Sequence, residues 1–192
     1  MVIPYGKQWI EKEEIESVLE VLKSDYLTTG PKVKEFEEKL AKQISAKYAV
    51  SVSNGTAALH LAAKAMEFEK NAEIITTPIT FAASANCILY TNGQPVFADI
   101  TERGLIGIDE INNKITKNTA GIIPVDYMGL PVEIENISKI AKENDLFVIR
   151  DSCHALGAQY KSEMVGSCKF SDVSIFSFHP VKHITTGEGG AI

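Results

Sequence analysis

The chain has 192 residues, of which 45% are hydrophobic and 23% are charged, a balance that favours a packed globular core over intrinsic disorder. Nineteen Lys and Arg residues against 25 Asp and Glu residues give a formal net charge of −6. This charge argues against a nucleic-acid partner, because binding to a phosphate backbone depends on excess positive charge. No uncharged apolar run approaches the roughly 20 residues that span a bilayer, so no membrane segment is predicted.

The start of the chain and its cysteines predict a cytoplasmic protein. The first seven residues, MVIPYGK, lack the apolar stretch and cleavage site of a signal peptide. Cys87, Cys153 and Cys168 are odd in number and contain no C-x-x-C pair, so free thiols are expected rather than a disulfide framework.

Two helices are predicted before residue 46, both from apolar residues at helical spacing. The stripe of the first helix is Ile15, Val18, Leu19 and Leu22. Pro31 opens the second helix, and its expected buried stripe is Val33, Phe36, Leu40 and Ile44.

After residue 46 the sequence alternates between strand and helix patterns. Short apolar runs rich in β-branched residues predict strands at 48–53, 73–77, 95–100, 121–125, 146–149 and 173–178. Strands without polar alternation, separated by helices, are typical of a parallel sheet covered on both faces. We therefore predict an α/β fold of three layers with a mostly parallel sheet, in one domain that takes up residues 1–192.

Polar and ionisable residues follow most of the predicted strands. In an open parallel sheet the carboxyl ends of the strands gather at one edge, where ligands bind. The segments that meet there are 53–56, 78–81, 126–127, 151–154 and 179–182. This edge is the predicted location of any functional site.

Asn54-Gly55-Thr56 follows a strand and opens a helix rich in Ala and Leu. The unpaired amides of a helix start can hold a phosphate where the side chains are small, as Gly55 and Thr56 are. The alternative is an ordinary capped helix, because the motif is neither a P-loop nor a dinucleotide-binding loop.

Asp151 ends a predicted strand, and His154 follows three residues later. A carboxylate at this point can cap the next helix, bind a metal or pair with a protonated ring nitrogen. No closely spaced Cys and His cluster offers a third metal ligand, so no metal site is predicted.

Lys182 lies between a strand end and a glycine-rich stretch, not on a helix face. A lysine in such a place is either a solvated surface charge or, when partly buried, a nucleophile toward a carbonyl carbon. Phe81 also follows a strand, and its ring is expected either to pack in the core or to support a planar ligand.

These features together suit a single ligand. It has a phosphate, a flat ring, a ring nitrogen that pairs with a carboxylate and an aldehyde that reacts with a lysine. Pyridoxal 5′-phosphate has all four, and its protein partners are a lysine and an acidic group at the ring nitrogen.

The sequence resembles the DegT family of pyridoxal-phosphate-dependent nucleotide-sugar aminotransferases, which have the fold type I architecture. The matching motifs extend over nearly the whole chain: IPY at 3–5, LTTG at 27–30, SNGTAAL at 53–59, TPITF at 77–81, DSCHALG at 151–157 and FSFHPVKHITTGEGG at 176–190. The implied fold is the large, cofactor-binding domain of this architecture, preceded by an amino-terminal segment.

The resemblance also implies a role for individual residues. Lys182 corresponds to the lysine that forms the Schiff base, Asp151 to the partner of the ring nitrogen and His154 to a residue near the ring hydroxyl. Phe81 corresponds to the aromatic side chain that lies against the ring.

Gly55, Thr56 and Ser177 match the family's phosphate cradle. Thr29 and Gly30 match a loop that approaches the sugar nucleotide. The implied reaction is the transfer of an amino group from glutamate to a nucleotide-linked 4-keto-6-deoxy sugar. The expected sugar is UDP-linked and belongs to pseudaminic acid synthesis or a related surface-polysaccharide pathway.

Two alternatives follow from the same resemblance. One is another reaction class, a dehydratase or lyase, although dehydrating members carry His where this chain has Lys182. Family members are also longer and form homodimers, and the small carboxyl-terminal domain is expected to be absent from these 192 residues. The second alternative is therefore a truncated module that binds the cofactor without turnover.

Overall fold

The computed structural model describes residues 6–192. The matching motif at 3–5 and the first residues of the chain lie outside this range. Six α-helices are present among the described residues: α1 Lys12–Leu22, α2 Pro31–Ile44, α3 Gly55–Ala65, α4 Ala83–Tyr90, α5 Ile108–Lys114 and α6 Ile134–Glu143. Nine strands accompany them: β1 Ser51–Val52, β2 Glu73–Thr76, β3 Gln94–Phe97, β4 Thr119–Ile123, β5 Phe147–Asp151, β6 Gln159–Tyr160, β7 Glu163–Met164, β8 Val173–Ser177 and β9 Gly190–Ala191.

Seven strands form one mixed sheet in the order β1-β9-β8-β5-β4-β2-β3. The pairs between β8 and β3 are parallel, whereas β9 is antiparallel to both of its neighbours. The prediction of a mostly parallel sheet is therefore confirmed. The short β6–β7 hairpin stands apart from this sheet, and no sequence pattern predicted it.

Neighbouring residues of the central strands face opposite layers, because side chains alternate across a strand. Ile74 and Ile123 pack against α3 and α4, while Ile75 and Ile122 pack against α5 and α6. All four are fully buried, and each contributes about 1.5–3 kcal/mol of hydrophobic stabilisation. The sheet thus lies between two helical layers, and the three-layer prediction is confirmed.

The two amino-terminal helices differ from each other in burial. Helix α2 buries Leu40 and Ile44 against Phe176 and Phe178 of the β8 region, but Val33 is exposed, contrary to the predicted stripe. Helix α1 forms as predicted, yet none of its residues is buried. Its apolar stripe therefore contributes nothing to the core of the described residues.

Candidate active site

The carboxyl ends of β1, β2, β4, β5 and β8 meet at one edge of the sheet, because β1 is parallel to β8 across the antiparallel β9. Three contacts show how closely the segments approach. Asp151 touches Ser84 at the start of α4, and Gly55 of α3 lies against Ser177 and Cys153. Of the five segments predicted to meet at this edge, these contacts join 53–56 and 151–154.

Asp151 is the last residue of β5 and is almost completely buried. Its amide donates to the Pro124 carbonyl, and its own carbonyl accepts the amide of Asp126, so the sheet ladder continues past the end of β4. Its Oδ2 accepts the Ser84 hydroxyl at 2.7 Å, and its Oδ1 accepts the Cys153 amide at 3.2 Å. The carboxylate is thus held from two sides.

Ser84 is a site residue that sequence reasoning missed. It is fully buried in the first turn of α4, and its Oγ also lies 2.7 Å from Oγ1 of Thr80. An ionised carboxylate only accepts and a hydroxyl has one proton, so Ser84 donates to Asp151 and Thr80 donates to Ser84. The spacing Thr80-x-x-x-Ser84 in the segment after β2 was the available signal, but both residues are common there for capping reasons alone.

Gly55 begins α3, which Asn54 caps by accepting the Ala57 amide at 2.8 Å. A Cβ at Gly55 would lie 2.9 Å from Cβ of Ser177 and 3.2 Å from Sγ of Cys153. Only glycine fits this approach without displacement of a neighbour. The start of α3 is therefore an ordinary capped helix start and also a small-residue cradle, in which the half-buried hydroxyl-bearing residues Thr56 and Ser177 lie beside Gly55.

Lys182 is half-buried in the segment after β8, where its amide donates to the His179 carbonyl at 2.9 Å. Within residues 6–192 it takes part in no salt bridge. Its positive charge reaches two groups of the site, since it favours the neutral form of His154 and the thiolate form of Cys153. Lys182 thus follows β8 at the same edge of the sheet as the Asp151 segment, and within the described residues its amine is not held in an ion pair.

His154 lies half-buried near Tyr127, with the two ring centroids 5.7 Å apart. Burial, followed by the charge of Lys182, lowers the pKa of His154. Its imidazole is therefore held toward the neutral form, in which one ring nitrogen donates and the other accepts a hydrogen bond.

Phe81 is 73% exposed, so the core-packing alternative for its ring is wrong. Its carbonyl accepts the Ser84 amide at 3.1 Å, which ties Phe81 to the turn that contacts Asp151. An exposed aromatic ring at this edge is available to cover a planar ligand.

Thr29 and Gly30 lie apart from this cluster in the contacts of the described chain. Thr29 is exposed with φ +49°, and Gly30 is the residue before α2. A Cβ at Gly30 would lie 2.6 Å from Cβ of Tyr26, which gives this glycine a local packing reason. No hydrogen bond of residues 6–192 joins either residue to the Asp151 segment.

Arg150 is a charged residue in a buried strand, and the structure accounts for it. Its Nε and Nη2 donate to the two carboxylate oxygens of Asp126 at 2.8 and 3.0 Å. Burial raises the pKa of Asp126, and the guanidinium of Arg150 opposes that rise. The partner lies 24 residues away in sequence, so the pairing could not be read from local patterns.

Two general properties of residues 6–192 bear on the site. They contain no group of three or more His, Cys, Asp or Glu side chains arranged to hold a metal ion. Over the same range, no helix has both the length and the apolar character that a membrane crossing requires.

Comparison with known proteins places the chain in a family. The profile of the DegT/DnrJ/EryC1/StrS aminotransferase family matches residues 8–192. A UDP-4-amino-4,6-dideoxy-N-acetyl-beta-L-altrosamine transaminase of Campylobacter jejuni is 42% identical over 194 residues, covering 100% of this chain and 51% of the relative.

Solved structures agree with this assignment. PseC of Helicobacter pylori, an aminotransferase of pseudaminic acid biosynthesis, superposes with a TM-score of 0.93 at 42% identity, covering 98% of this chain and 51% of PseC. The sugar aminotransferase Spr1654 of Streptococcus pneumoniae in its PLP form superposes with a TM-score of 0.93 at 32% identity, covering 98% of this chain and 52% of Spr1654.

The chain thus spans about half the length of the relatives that it matches. Within that span the predicted fold type I architecture is confirmed by the superpositions, and the motifs at the sheet edge fall inside the matched region. The chain belongs to the DegT/DnrJ/EryC1/StrS aminotransferase family.

Proposed function

We propose that this chain binds pyridoxal 5′-phosphate and contributes the cofactor site of an aminotransferase that acts on a nucleotide-linked keto sugar. The observation that carries the proposal is the meeting of three different groups at one sheet edge. They are the amine of Lys182, which forms no salt bridge within residues 6–192, the buried carboxylate of Asp151 and the small-residue cradle at Gly55.

The cradle fits the phosphate of the cofactor. Gly55 lets the start of α3 approach Ser177 closely, because a Cβ at this position would lie only 2.9 Å from Cβ of Ser177. Asn54 occupies the Ala57 amide, so the amides of Gly55 and Thr56 are those that can face an anion, and the positive end of the helix dipole favours a negative group. Thr56 and Ser177 add hydroxyl donors beside these amides.

Asp151 fits the ring nitrogen. Ser84 and Cys153 together occupy one acceptor position on each oxygen, so each oxygen keeps a further lone pair. A carboxylate held in this way is a fixed anionic acceptor for a protonated pyridine nitrogen. Phe81 would cover one face of the ring, and His154 would lie near the ring hydroxyl.

Bound pyridoxal 5′-phosphate supplies an aldehyde carbon and a ring that absorbs an electron pair. Lys182 would be the residue that holds the cofactor, through its Nζ at the aldehyde carbon, until an amino donor takes its place. The Lys182 Nζ would then serve as general base for the proton on the α-carbon of the donor and as general acid that delivers this proton to the former aldehyde carbon of the cofactor. The Asp151 carboxylate would face the ring nitrogen.

The substrates are assigned from the relatives. The Campylobacter jejuni relative is named as a transaminase of a UDP-linked amino sugar, and PseC belongs to pseudaminic acid biosynthesis. We accordingly assign a UDP-linked 4-keto-6-deoxy sugar as acceptor and glutamate as donor, with Thr29 and Gly30 on the side of the sugar nucleotide. A homodimer of the whole protein and a cytoplasmic location belong to the same proposal.

Transfer of ¹⁵N from labelled glutamate to a UDP-linked keto sugar tests this function. The assay uses the 192-residue chain beside a longer protein that extends it to the length of its relatives, together with a Lys182→Ala variant of each. The proposal predicts ¹⁵N in the sugar product of the longer protein and none with Lys182→Ala. Release of a dehydrated sugar without consumption of glutamate would favour the dehydratase alternative.

A further inference from the structure

The two residues that flank Asp151 are both bound to one buried carboxylate. Asp126 accepts two bonds from Arg150 and the Ser152 hydroxyl, the latter at 2.7 Å. The Val132 amide donates to Oδ1 of Asp126 at 2.9 Å and anchors that carboxylate to the segment before α6. The side chain of Asp126 is fully buried. We call Asp126, Arg150 and Ser152 the flanking clamp.

The clamp has a geometric consequence for Asp151. Side chains at successive positions of an extended strand point to opposite faces. Arg150 and Ser152 both reach Asp126 on one face, so Asp151 is directed to the opposite face, where Ser84 receives it. The backbone is extended through this point, because the Ser152 amide still donates to the Ile175 carbonyl.

Stability alone is a weak reason for this arrangement. A buried ion pair costs desolvation energy that its own attraction roughly offsets, and an apolar pair of similar volume is often as stable. A two-pronged Arg–carboxylate pair does, however, define direction, because both bonds form only in one relative orientation. The direction of the Asp151 side chain at the end of β5 is therefore what this pair would fix.

We propose that Asp126 is a positioning residue, which holds Arg150 and Ser152 so that the Asp151 carboxylate faces the ring nitrogen of the cofactor. The proposal deepens the proposed function and rests on it for the role of Asp151. The clamp itself does not touch the cofactor; it acts through the direction of the β5 end.

Three variants separate positioning from simple stability. Asp126→Asn keeps the shape but removes the charge that holds Arg150, and Ser152→Ala removes a single donor and leaves the ion pair. Ile111→Ala is the matched control, because Ile111 is the fully buried residue of α5 and takes no part in the clamp. The readouts of Ile111→Ala show what a loss of thermal stability alone does, and Asp126→Asn and Ser152→Ala are compared with them.

The first readout needs no cofactor. Hydrogen–deuterium exchange of the Cys153 amide, which donates to Asp151 Oδ1, reports whether that carboxylate is in place. After correction for differences in global stability, we expect the Cys153 amide to exchange about tenfold faster in Asp126→Asn, because loss of its hydrogen bond to a charged carboxylate corresponds to about a factor of ten. The increase should be smaller in Ser152→Ala, and Ile111→Ala should show none.

The second readout is the pH midpoint of the visible absorbance of bound pyridoxal 5′-phosphate. Asp126→Asn and Ser152→Ala should move the midpoint in the same direction as Asp151→Asn, and Asp126→Asn should add nothing in an Asp151→Asn background. Clamp variants that match Ile111→Ala in both readouts overturn the positioning role. If the unmodified chain binds no pyridoxal 5′-phosphate, the proposed function fails, and the exchange result alone decides whether the clamp orients Asp151.

Discussion

The Ser84 hydroxyl donates to Oδ2 of Asp151 at 2.7 Å although 67 residues separate the two in sequence. The bond joins the start of α4 to the end of β5, inside a region from which solvent is excluded. It fixes one carboxylate oxygen and, through Thr80, connects it to the segment after β2. The position of Asp151 is therefore set by tertiary contacts as well as by its own strand.

Removal of this bond should weaken cofactor binding. In Ser84→Ala the carboxylate loses a charge-assisted donor worth about 1.5–3 kcal/mol, so the affinity for pyridoxal 5′-phosphate should fall at least about tenfold. Absorbance titration with the cofactor measures the change. Ser138→Ala is the matched control, since Ser138 is also a buried serine but lies on α6. Equal affinities of Ser84→Ala and Ser138→Ala would remove Ser84 from the site.

Gly55→Ala should act on the phosphate specifically. The added Cβ would lie 2.9 Å from Cβ of Ser177 and would push the start of α3 away from that residue, which changes the position of the cradle. The affinity for pyridoxal 5′-phosphate should therefore fall more than the affinity for pyridoxal, which lacks the phosphate. The affinities of pyridoxal 5′-phosphate and pyridoxal are measured with the unmodified chain and with Gly55→Ala. A general disturbance of the helix would lower both affinities, so the difference between them reports on the phosphate. A loss of the same factor for both ligands would place the phosphate elsewhere.

His154 should make stability depend on pH on the acidic side of neutrality. Burial and the charge of Lys182 lower its pKa from the ordinary value of 6.5. As the pH falls through 6.5 the unfolded chain takes up this proton before the folded one, so the contribution of His154 to stability is complete above 6.5 and is lost on acidification.

His154→Gln removes that titration, and its free energy of unfolding should fall less steeply than that of the unmodified chain between about pH 7 and pH 5. Urea denaturation at a series of pH values gives both curves. Parallel curves would show that the imidazole is not held toward its neutral form.

The three cysteines should differ sharply in reactivity. All are free thiols, but burial raises the pKa of Cys87 to about 12 and raises that of Cys153 well above its ordinary value, with the Asp151 charge adding to both. The thiolate is the reactive form, so only the exposed Cys168 should react quickly with iodoacetamide near pH 8. Peptide mass spectrometry identifies the labelled residue, and rapid labelling of Cys153 would contradict the raised pKa of its thiol.

Much of the fold follows from the sequence because both faces of the sheet are buried. Apolar runs as short as 73–77 and 121–125 favour buried strands over helices, and the matching strands β2 and β4 lie within a residue or two of the predicted bounds. The β6–β7 hairpin was not predicted, since each strand has only two residues and no alternation to recognise. The exposure of the apolar stripe of α1 also could not be predicted from the sequence. Periodicity predicts a helix, but it does not show which element packs against that helix.

The sequence predicted the candidate site residues that lie at strand ends. It did not predict the side-chain contacts between residues that are distant in sequence. Asp151 and Gly55 were found because each directly follows or ends a strand, and parallel strands bring such positions to one edge. The contacts of Ser84 with Asp151 and of Arg150 with Asp126 were not predicted, because the partners lie 67 and 24 residues apart in sequence. Only the folded chain shows which of many buried polar residues face one another.

Borohydride reduction of the chain with pyridoxal 5′-phosphate, followed by peptide mapping, tests the central claim most directly. Reduction converts a lysine–cofactor linkage into a stable secondary amine, so the modified lysine can be read from the peptide mass. We predict one principal adduct, on Lys182 in the segment after β8, and its disappearance in Lys182→Ala. A principal adduct on another lysine, or an undiminished adduct in Lys182→Ala, would contradict the assignment of this sheet edge as the cofactor site.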